Sequence, residues 1–358
     1  MEIFRFIAIT MCGALALTAC SSTPETGSSA ATGSNGSPSN ELETVRMITH
    51  ESFVLSPSFV EDLRAQGVDL QITSTGDAGT LTASAILSAG QPTADVLFGI
   101  DNTLALRATE EGVFQTYESP ELANVLPEFA DDTQGGRLTP IDFGDVCINV
   151  DDTWFAQQGL TAPTTLDELP EFANRLVVED PATSSPGLAF LLATVARFGT
   201  DWPSYWEALR DGGVAVAGSW TDAYYSQFTP SGGDRPLVVS YATSPAAEIV
   251  FAEDSSVSTP STSVMTDSCF RQVEYAGILE GAENPEGAQK VIDALLSRAV
   301  QEDIPLNMFV YPVRADAILP SVFTEFTPII TGSASLPAEQ VKDQLASLLA
   351  TWGSVMNR

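Results

Sequence analysis

Four short segments carry residues able to recognise a small charged ligand. They are Ser74-Thr-Gly-Asp-Ala-Gly79, Asp180-Pro-Ala-Thr-Ser-Ser-Pro-Gly187, Gly218-Ser-Trp-Thr-Asp-Ala-Tyr224 and Ser240-Tyr-Ala-Thr-Ser-Pro245. Each lies at the entrance of an expected helix. The rings of Trp220, Tyr224 and Tyr241, with the carboxylates of Asp77 and Asp101, suit an organic cation. A ring face attracts a cation by roughly 0.5–2 kcal/mol, and a carboxylate adds charge and accepts hydrogen bonds. Helix starts leave backbone N–H groups without intrahelical partners. Ser185 is expected to cap one helix with Pro186 at its first position, and Ser244 another with Pro245. Structural alternatives stand beside these readings: core packing for Trp220 and Tyr224, and a plain turn for Asp77.

Catalytic chemistry is poorly served. The chain has one histidine, His50, so a Ser–His–Asp triad would hang on a single residue of the first strand. There is no His-Glu-x-x-His, Walker loop, Gly-x-Gly-x-x-Gly after a strand or Cys-x-x-Cys, nor a Gly-x-Ser-x-Gly in the folded region. The expectation is a binding protein without catalytic residues, cofactor or metal. With 15 Lys and Arg against 47 Asp and Glu, the net charge of −32 argues against nucleic-acid binding and against basic docking to anionic lipid. It permits a cationic ligand.

The elements that must position these residues alternate along the chain. Strands are expected at 44–49, 68–73, 94–99, 145–150, 175–179, 237–241 and 269–275. Helices are expected at 57–66, 80–89, 104–111, 165–172, 188–198, 205–210, 221–228, 244–251, 285–297 and 337–352. The opening βαβαβα run implies a parallel sheet. The chain is expected to leave one α/β lobe near Asp145, build a second and return near Arg271. Lobe 1 would then span 44–145 plus 271–325, lobe 2 would span 146–270, and 326–358 would form a C-terminal helical segment packed on the lobes. Two crossings make a two-strand hinge with a ligand cleft between the lobes.

Residues 1–19 read as an export signal. An apolar run from Phe6 to Ala19 follows Arg5, too short to span a bilayer with ease. It ends in Leu17-Thr-Ala-Cys20, similar to the lipobox of bacterial lipoproteins, so Cys20 is the expected lipidation site and first mature residue. Residues 20–43 are mostly Ser, Gly, Thr, Ala, Pro and Asn and read as a disordered tether. The expected location is extracytoplasmic, anchored to the cell membrane through the N-terminal lipid. Of four cysteines, Cys147 and Cys269 remain beyond Cys20. Export favours a disulfide between them, two separate buried thiols being the alternative.

The chain resembles the thiamine-binding proteins of bacterial ABC importers, within the two-lobed periplasmic-binding-protein class. The resemblance runs from about 44 to 350. It is carried by Ala94-Asp-Val-Leu-Phe-Gly-Ile-Asp-Asn102, Pro140-Ile-Asp-Phe-Gly144, Glu179-Asp-Pro-Ala-Thr-Ser-Ser-Pro-Gly-Leu188, Gly218-Ser-Trp-Thr-Asp-Ala-Tyr224, Val239-Ser-Tyr-Ala-Thr-Ser-Pro245 and Tyr311-Pro-Val313, in family order. It implies a monomeric type 2 clamshell that binds thiamine or its phosphates and hands the ligand to an ABC transporter permease. By motif, Asp77 falls at an acidic ligand position, Ser184 in a loop facing the ligand, and Trp220 and Tyr241 at ring-stacking positions. His50 and Ala247 stand where the family often has aromatics. A phosphate group would find free backbone N–H groups at the Ser184–Gly187 helix start. Other ligands of the same class, namely a ferric ion, a polyamine or an organophosphonate, stay open, and the Tyr224-Tyr225 pair would suit ferric iron. An anchored enzyme is the remaining alternative.

Overall fold

The computed structural model describes residues 42–252, 256–328 and 330–358, and these belong to one compact unit. The expected signal, Cys20 and the tether up to residue 41 lie outside the described residues. Glu43, which the sequence reading put in the tether, is the first residue of β1.

Nine strands among the described residues form one mixed sheet. They are β1 (Glu43–Thr49), β2 (Val68–Ser74), β3 (Val96–Asp101), β4 (Thr139–Asp151), β5 (Leu176–Glu179), β6 (Ala215–Ala217), β7 (Leu237–Tyr241), β8 (Thr262–Ile278) and β9 (Tyr311–Pro312). Their order is β2-β1-β3-β8-β4-β7-β5-β6, with β9 added to β4. The α-helices are α1 (Pro57–Ala65), α2 (Ala78–Leu87), α3 (Ala105–Glu110), α4 (Pro127–Ala130), α5 (Asp152–Gln158), α6 (Ser185–Phe198) and α7 (Trp202–Asp211). They continue as α8 (Trp220–Asp222), α9 (Ser244–Val250), α10 (Pro285–Leu295), α11 (Arg298–Asn307), α12 (Ser321–Phe326) and α13 (Ala338–Met356).

The opening alternation gives three parallel strands, with β1 between β2 and β3. All of β3 is buried, as an apolar strand covered on both faces must be. A second parallel group, β7-β5-β6, forms the other end of the sheet. Between them run β4 and β8, antiparallel to each other. The Glu274–Ile278 end of β8 lies against β3, while Val146–Val150 of β4 lies against β7. These two long strands therefore carry the sheet from one parallel group to the other. Their register shifts between Val146 and Ile148, where Ser268 Oγ accepts the Ile148 N–H at 2.8 Å. Cys147 and Cys269 sit at this irregularity, 4.2 Å apart at Cα, and are joined by a disulfide.

Departures from the expected elements have local causes. The helix expected at 165–172 is a 3₁₀ segment, Leu166–Arg175, containing Pro170; proline removes a donor and clashes with an α-helical turn. The helix expected at 221–228 is the single turn α8 followed by a π-helical turn, Ala223–Gln227. β8 begins at Thr262, not 269. β6 is three residues long, and α11 contains Pro305, so neither presents a clear periodic run. In the core, Trp206 is fully buried and meets Phe190 and Trp352 edge-on, at 5.6 and 5.7 Å between ring centres. The last contact ties α13 to α7.

Candidate functional site

A cavity of about 410 Å³ opens where the loops after β1, β2, β6 and β7 converge. That volume falls in the roughly 300–1,000 Å³ range of small-molecule sites. Its walls include His50, Asp77, Trp220, Tyr224 and Tyr241 of the expected site residues. They also include Glu51, Ser185, Tyr225, Ala247 and Glu274, and an apolar stretch from Leu306 to Val310. Ser184 does not line it.

The expected helix cap is displaced by one residue, from Ser185 to Ser184, and the reason is helical phase. Ser184 is the N-cap of α6, its hydroxyl accepting the Gly187 N–H at 3.4 Å. Ser185 is then the first helical residue, and its hydroxyl donates to the Asp101 carboxylate. The helix after β7 repeats the shift: Thr243 is the N-cap and Pro245 follows Ser244 in the first turn. A proline fits the first turn without insisting on its first position, so the Ser-Pro pair marks the turn but not the cap. The expected phosphate cradle at Ser184–Gly187 also changes character. Pro186 has no N–H, the Ser185 N–H donates to Asp77 at 3.3 Å, and the Gly187 N–H to Ser184. The donors proposed for a phosphate already have protein partners.

Asp77 is the N-cap of α2. One carboxylate oxygen accepts the N–H groups of Ala78 (2.7 Å) and Ser185 (3.3 Å), and the other accepts that of Trp220 (3.0 Å). The approach is close enough to require glycine: a Cβ on Gly79 would lie 2.6 Å from the Thr183 carbonyl oxygen.

The aromatic residues form one cluster. The Trp220 ring stacks on Tyr224, with centres 5.2 Å apart and planes 19° apart. Tyr225 and Tyr241 stand edge-on to it at 5.5 and 6.3 Å. The indole N–H donates to Ser240 Oγ at 2.9 Å, and the Tyr241 hydroxyl donates to Gln272 Oε1 at 2.9 Å. Burial, followed by the nearby Glu274 and Asp77 charges, pushes the Tyr241 phenol well above its ordinary range. Tyr224 and Tyr225 lie edge-on to each other at 82°. Among the described residues, no group of three or more His, Cys, Asp or Glu is placed to hold a metal ion.

Buried acids lie behind the cavity. Asp101 accepts the Thr103 N–H at 2.7 Å and the Thr103 hydroxyl at 2.5 Å; burial raises its carboxyl to about 6 despite these bonds. Both oxygens of Glu179 lack partners among the described residues; burial and then the Asp77 charge push its carboxyl well above the usual range. Sequence reasoning missed Glu274. Its signal was a Glu inside the otherwise apolar Val273–Ile278 run. His50, the sole histidine, is buried beside it, and its Nε2 lies 3.7 Å from Glu274 Oε1. Burial disfavours a charged ring, but Glu274, with Asp77 and Glu51, outweighs that and raises the His50 pKa.

Comparison with known proteins agrees with this architecture. The profile of the bacterial extracellular solute-binding proteins matches residues 91–325. A thiamine-binding periplasmic protein of Escherichia coli (strain K12) is 30% identical over 293 residues, covering 81% of this chain and 85% of that protein. One from Salmonella typhimurium is 29% identical over 292 residues, with the same coverage. The solved structure of a periplasmic thiamin binding protein superposes with a TM-score of 0.77 at 26% identity, covering 88% of this chain and 97% of that one.

Proposed function

Because the chain belongs to the bacterial extracellular solute-binding proteins, we propose that it captures thiamine outside the cytoplasm and delivers it to the permease of an ABC importer. The observation that carries this reading is the cavity itself. It sets Trp220, Tyr224 and Tyr241 beside the carboxylates of Asp77 and Glu274, and thiamine is a flat aminopyrimidine joined to a cationic thiazolium. Aromatic faces and carboxylates complement both rings. Relatives named for thiamine binding support the same ligand. The protein's role is capture and release, with no bond made or broken.

The two-lobed fold supplies the movement. Lobe 1 takes in β1–β3 and lobe 2 takes in β5–β7, while β4 and β8 join them as a hinge. We place the crossings between the lobes near Asp145 and Arg271. Beyond residue 326, α13 packs on this frame as a C-terminal segment, through the contact of Trp352 with Trp206. Ligand entering the cleft draws the lobes together, and the closed form is what a permease recognises. The protein acts as a monomer, held to the membrane by lipid on Cys20. Cys20→Ala should release it into the medium or stall processing, and unchanged membrane partition would refute the anchor.

Unphosphorylated thiamine fits better than its phosphates, because the Ser184–Gly187 donors already have partners. A ferric ion fits less well: Tyr224 is stacked on Trp220 and Tyr225 is turned edge-on, so their hydroxyls are held by ring packing and not by convergence on a metal. The test is calorimetry on protein freed of co-purified ligand. One thiamine per chain is expected at low micromolar concentration or tighter. Absence of binding at high micromolar thiamine overturns the assignment.

A further inference from the structure

Glu274 has acids beside it on both flanking strands. Its register partners are Asp101 on β3 and Asp142 on β4, and both are fully buried. Neither oxygen of Asp142 has a hydrogen-bond partner among the described residues. Two ionised carboxylates side by side in a dry interior repel strongly, and the proton that relieves this sits on Asp142. Burial, reinforced by Glu274, pushes the Asp142 carboxyl well above the usual range. Asp142 is sealed in the core, whereas Glu274 reaches the cavity. The negative charge of the pair is therefore presented to a ligand by Glu274, one of whose oxygens is steadied by Gln272 at 3.3 Å.

Beside it stands an unpartnered donor. His50 is 8% exposed and lines the same cavity. Its Nδ1 accepts the Ser52 backbone N–H at 3.2 Å, so the ring proton sits on Nε2. That nitrogen has no hydrogen-bond partner among the described residues, and at 3.7 Å from Glu274 Oε1 it is too far to bond there. The ring occupies a space that Gly99 leaves open: at φ +98°, a Cβ on Gly99 would lie 2.2 Å from His50 Cδ2. Asp77 is less suited to this role than Glu274, because three of its roughly four acceptor sites already take backbone N–H groups.

We infer that Glu274 and His50 form an acceptor–donor pair that reads the amino edge of a flat heterocycle. A ring amino group donates to Glu274 while the adjacent ring nitrogen accepts from His50 Nε2. This rests on the thiamine reading, whose aminopyrimidine carries such an edge.

The experiment compares thiamine with the analogue carrying a ring carbonyl in place of the ring amino group. A carbonyl facing Glu274 meets a buried carboxylate with no proton to share. Wild type should therefore prefer thiamine by at least about 100-fold in Kd, since a site built around a substrate N–H rejects analogues that lack it. Glu274→Gln offers an amide that donates to the carbonyl, so the preference should narrow at least about tenfold. If wild type binds no thiamine, the ligand assignment and this inference fall together. If wild type binds thiamine but prefers it by less than about tenfold, the inference fails and the assignment stands. The same holds if Glu274→Gln folds as wild type does, by circular dichroism, and keeps the wild-type ratio. Should that variant not fold, the wild-type ratio alone decides.

Discussion

Asp77 accepts the backbone N–H of Trp220 at 3.0 Å, and this bond joins the two ends of the sheet. Asp77 follows β2 and Trp220 follows β6, and these are the outermost strands of the β2-β1-β3-β8-β4-β7-β5-β6 order. Neighbouring bonds run the same way. The Ser185 N–H reaches Asp77, the Ser185 hydroxyl reaches Asp101, and the Thr80 N–H reaches the Thr183 carbonyl at 3.2 Å. The two parallel strand groups are thus pinned together beside the cavity, with Asp77 at the centre of the pin.

Removing that carboxylate should loosen the closed form. Hydrogen bonds to a charged group contribute roughly 1.5–3 kcal/mol. Asp77→Ala should therefore weaken thiamine binding by about 10- to 100-fold, chiefly through faster dissociation. Asp77→Asn keeps one acceptor oxygen and loses the other, so it should fall between. Stopped-flow dissociation rates check this, and an unchanged rate in Asp77→Ala would show that closure does not depend on the pin.

Trp220 should be the main ring contact. Its indole is held by Tyr224 stacking and by the bond to Ser240, so its position is fixed before a ligand arrives. Trp220→Ala should cost roughly 2–4 kcal/mol of thiamine affinity, as expected of a central aromatic anchor. Trp220→Phe keeps a ring but loses the indole N–H, and should cost less. Calorimetry on both variants decides the matter. Equal affinity in Trp220→Ala and wild type would place the ligand elsewhere in the cavity.

The Cys147–Cys269 bridge closes a loop with a sequence separation of 122 residues. Chain-entropy reasoning gives such a loop on the order of 4–5 kcal/mol of stabilisation. Unfolding midpoints with and without reductant should differ accordingly, while the Cys147→Ala/Cys269→Ala variant should not respond to reductant. Two reactive thiols at positions 147 and 269 in the denatured, unreduced protein would refute the bridge.

The three-residue β6 was not legible, whereas the first parallel group and the strands β5 and β7 of the second were, because they are short apolar runs separated by helices. Val96–Asp101 and Leu237–Tyr241 show this plainly. What the sequence could not show was phase and register. Ser184 and Ser185 differ by one residue, yet one is a cap turned into the core and the other lines the cavity. Proline in the first turn is compatible with either arrangement. Glu274 was invisible for another reason. Asp101, Asp142 and Glu274 are far apart in sequence and become neighbours only through the pairing of β3, β8 and β4. The clue available was an acid within each of three apolar strands, where unpaired charge is costly.

Asp101 makes that cost measurable through pH. Its carboxyl is raised from 3.8 to about 6, first by burial. Between those values the folded chain binds a proton that the unfolded chain has released. The native state then holds more protons than the unfolded state, so stability falls as pH rises from about 4 to about 6 and levels off above. A shift of about two units corresponds to roughly 3 kcal/mol. Asp142 and Glu179 are raised in the same direction by burial, and the net charge of −32 adds self-repulsion of the same sign. Asp101→Asn isolates one contribution. Its oxygen can still accept from Thr103 and its amide can donate to Ser185 Oγ, so the contacts survive while the charge does not. The variant should match wild type near pH 4, exceed it by up to roughly 3 kcal/mol at pH 7, and show a shallower slope between. Urea unfolding across that range measures both curves. Parallel curves for the two proteins would show that Asp101 does not take up a proton on folding.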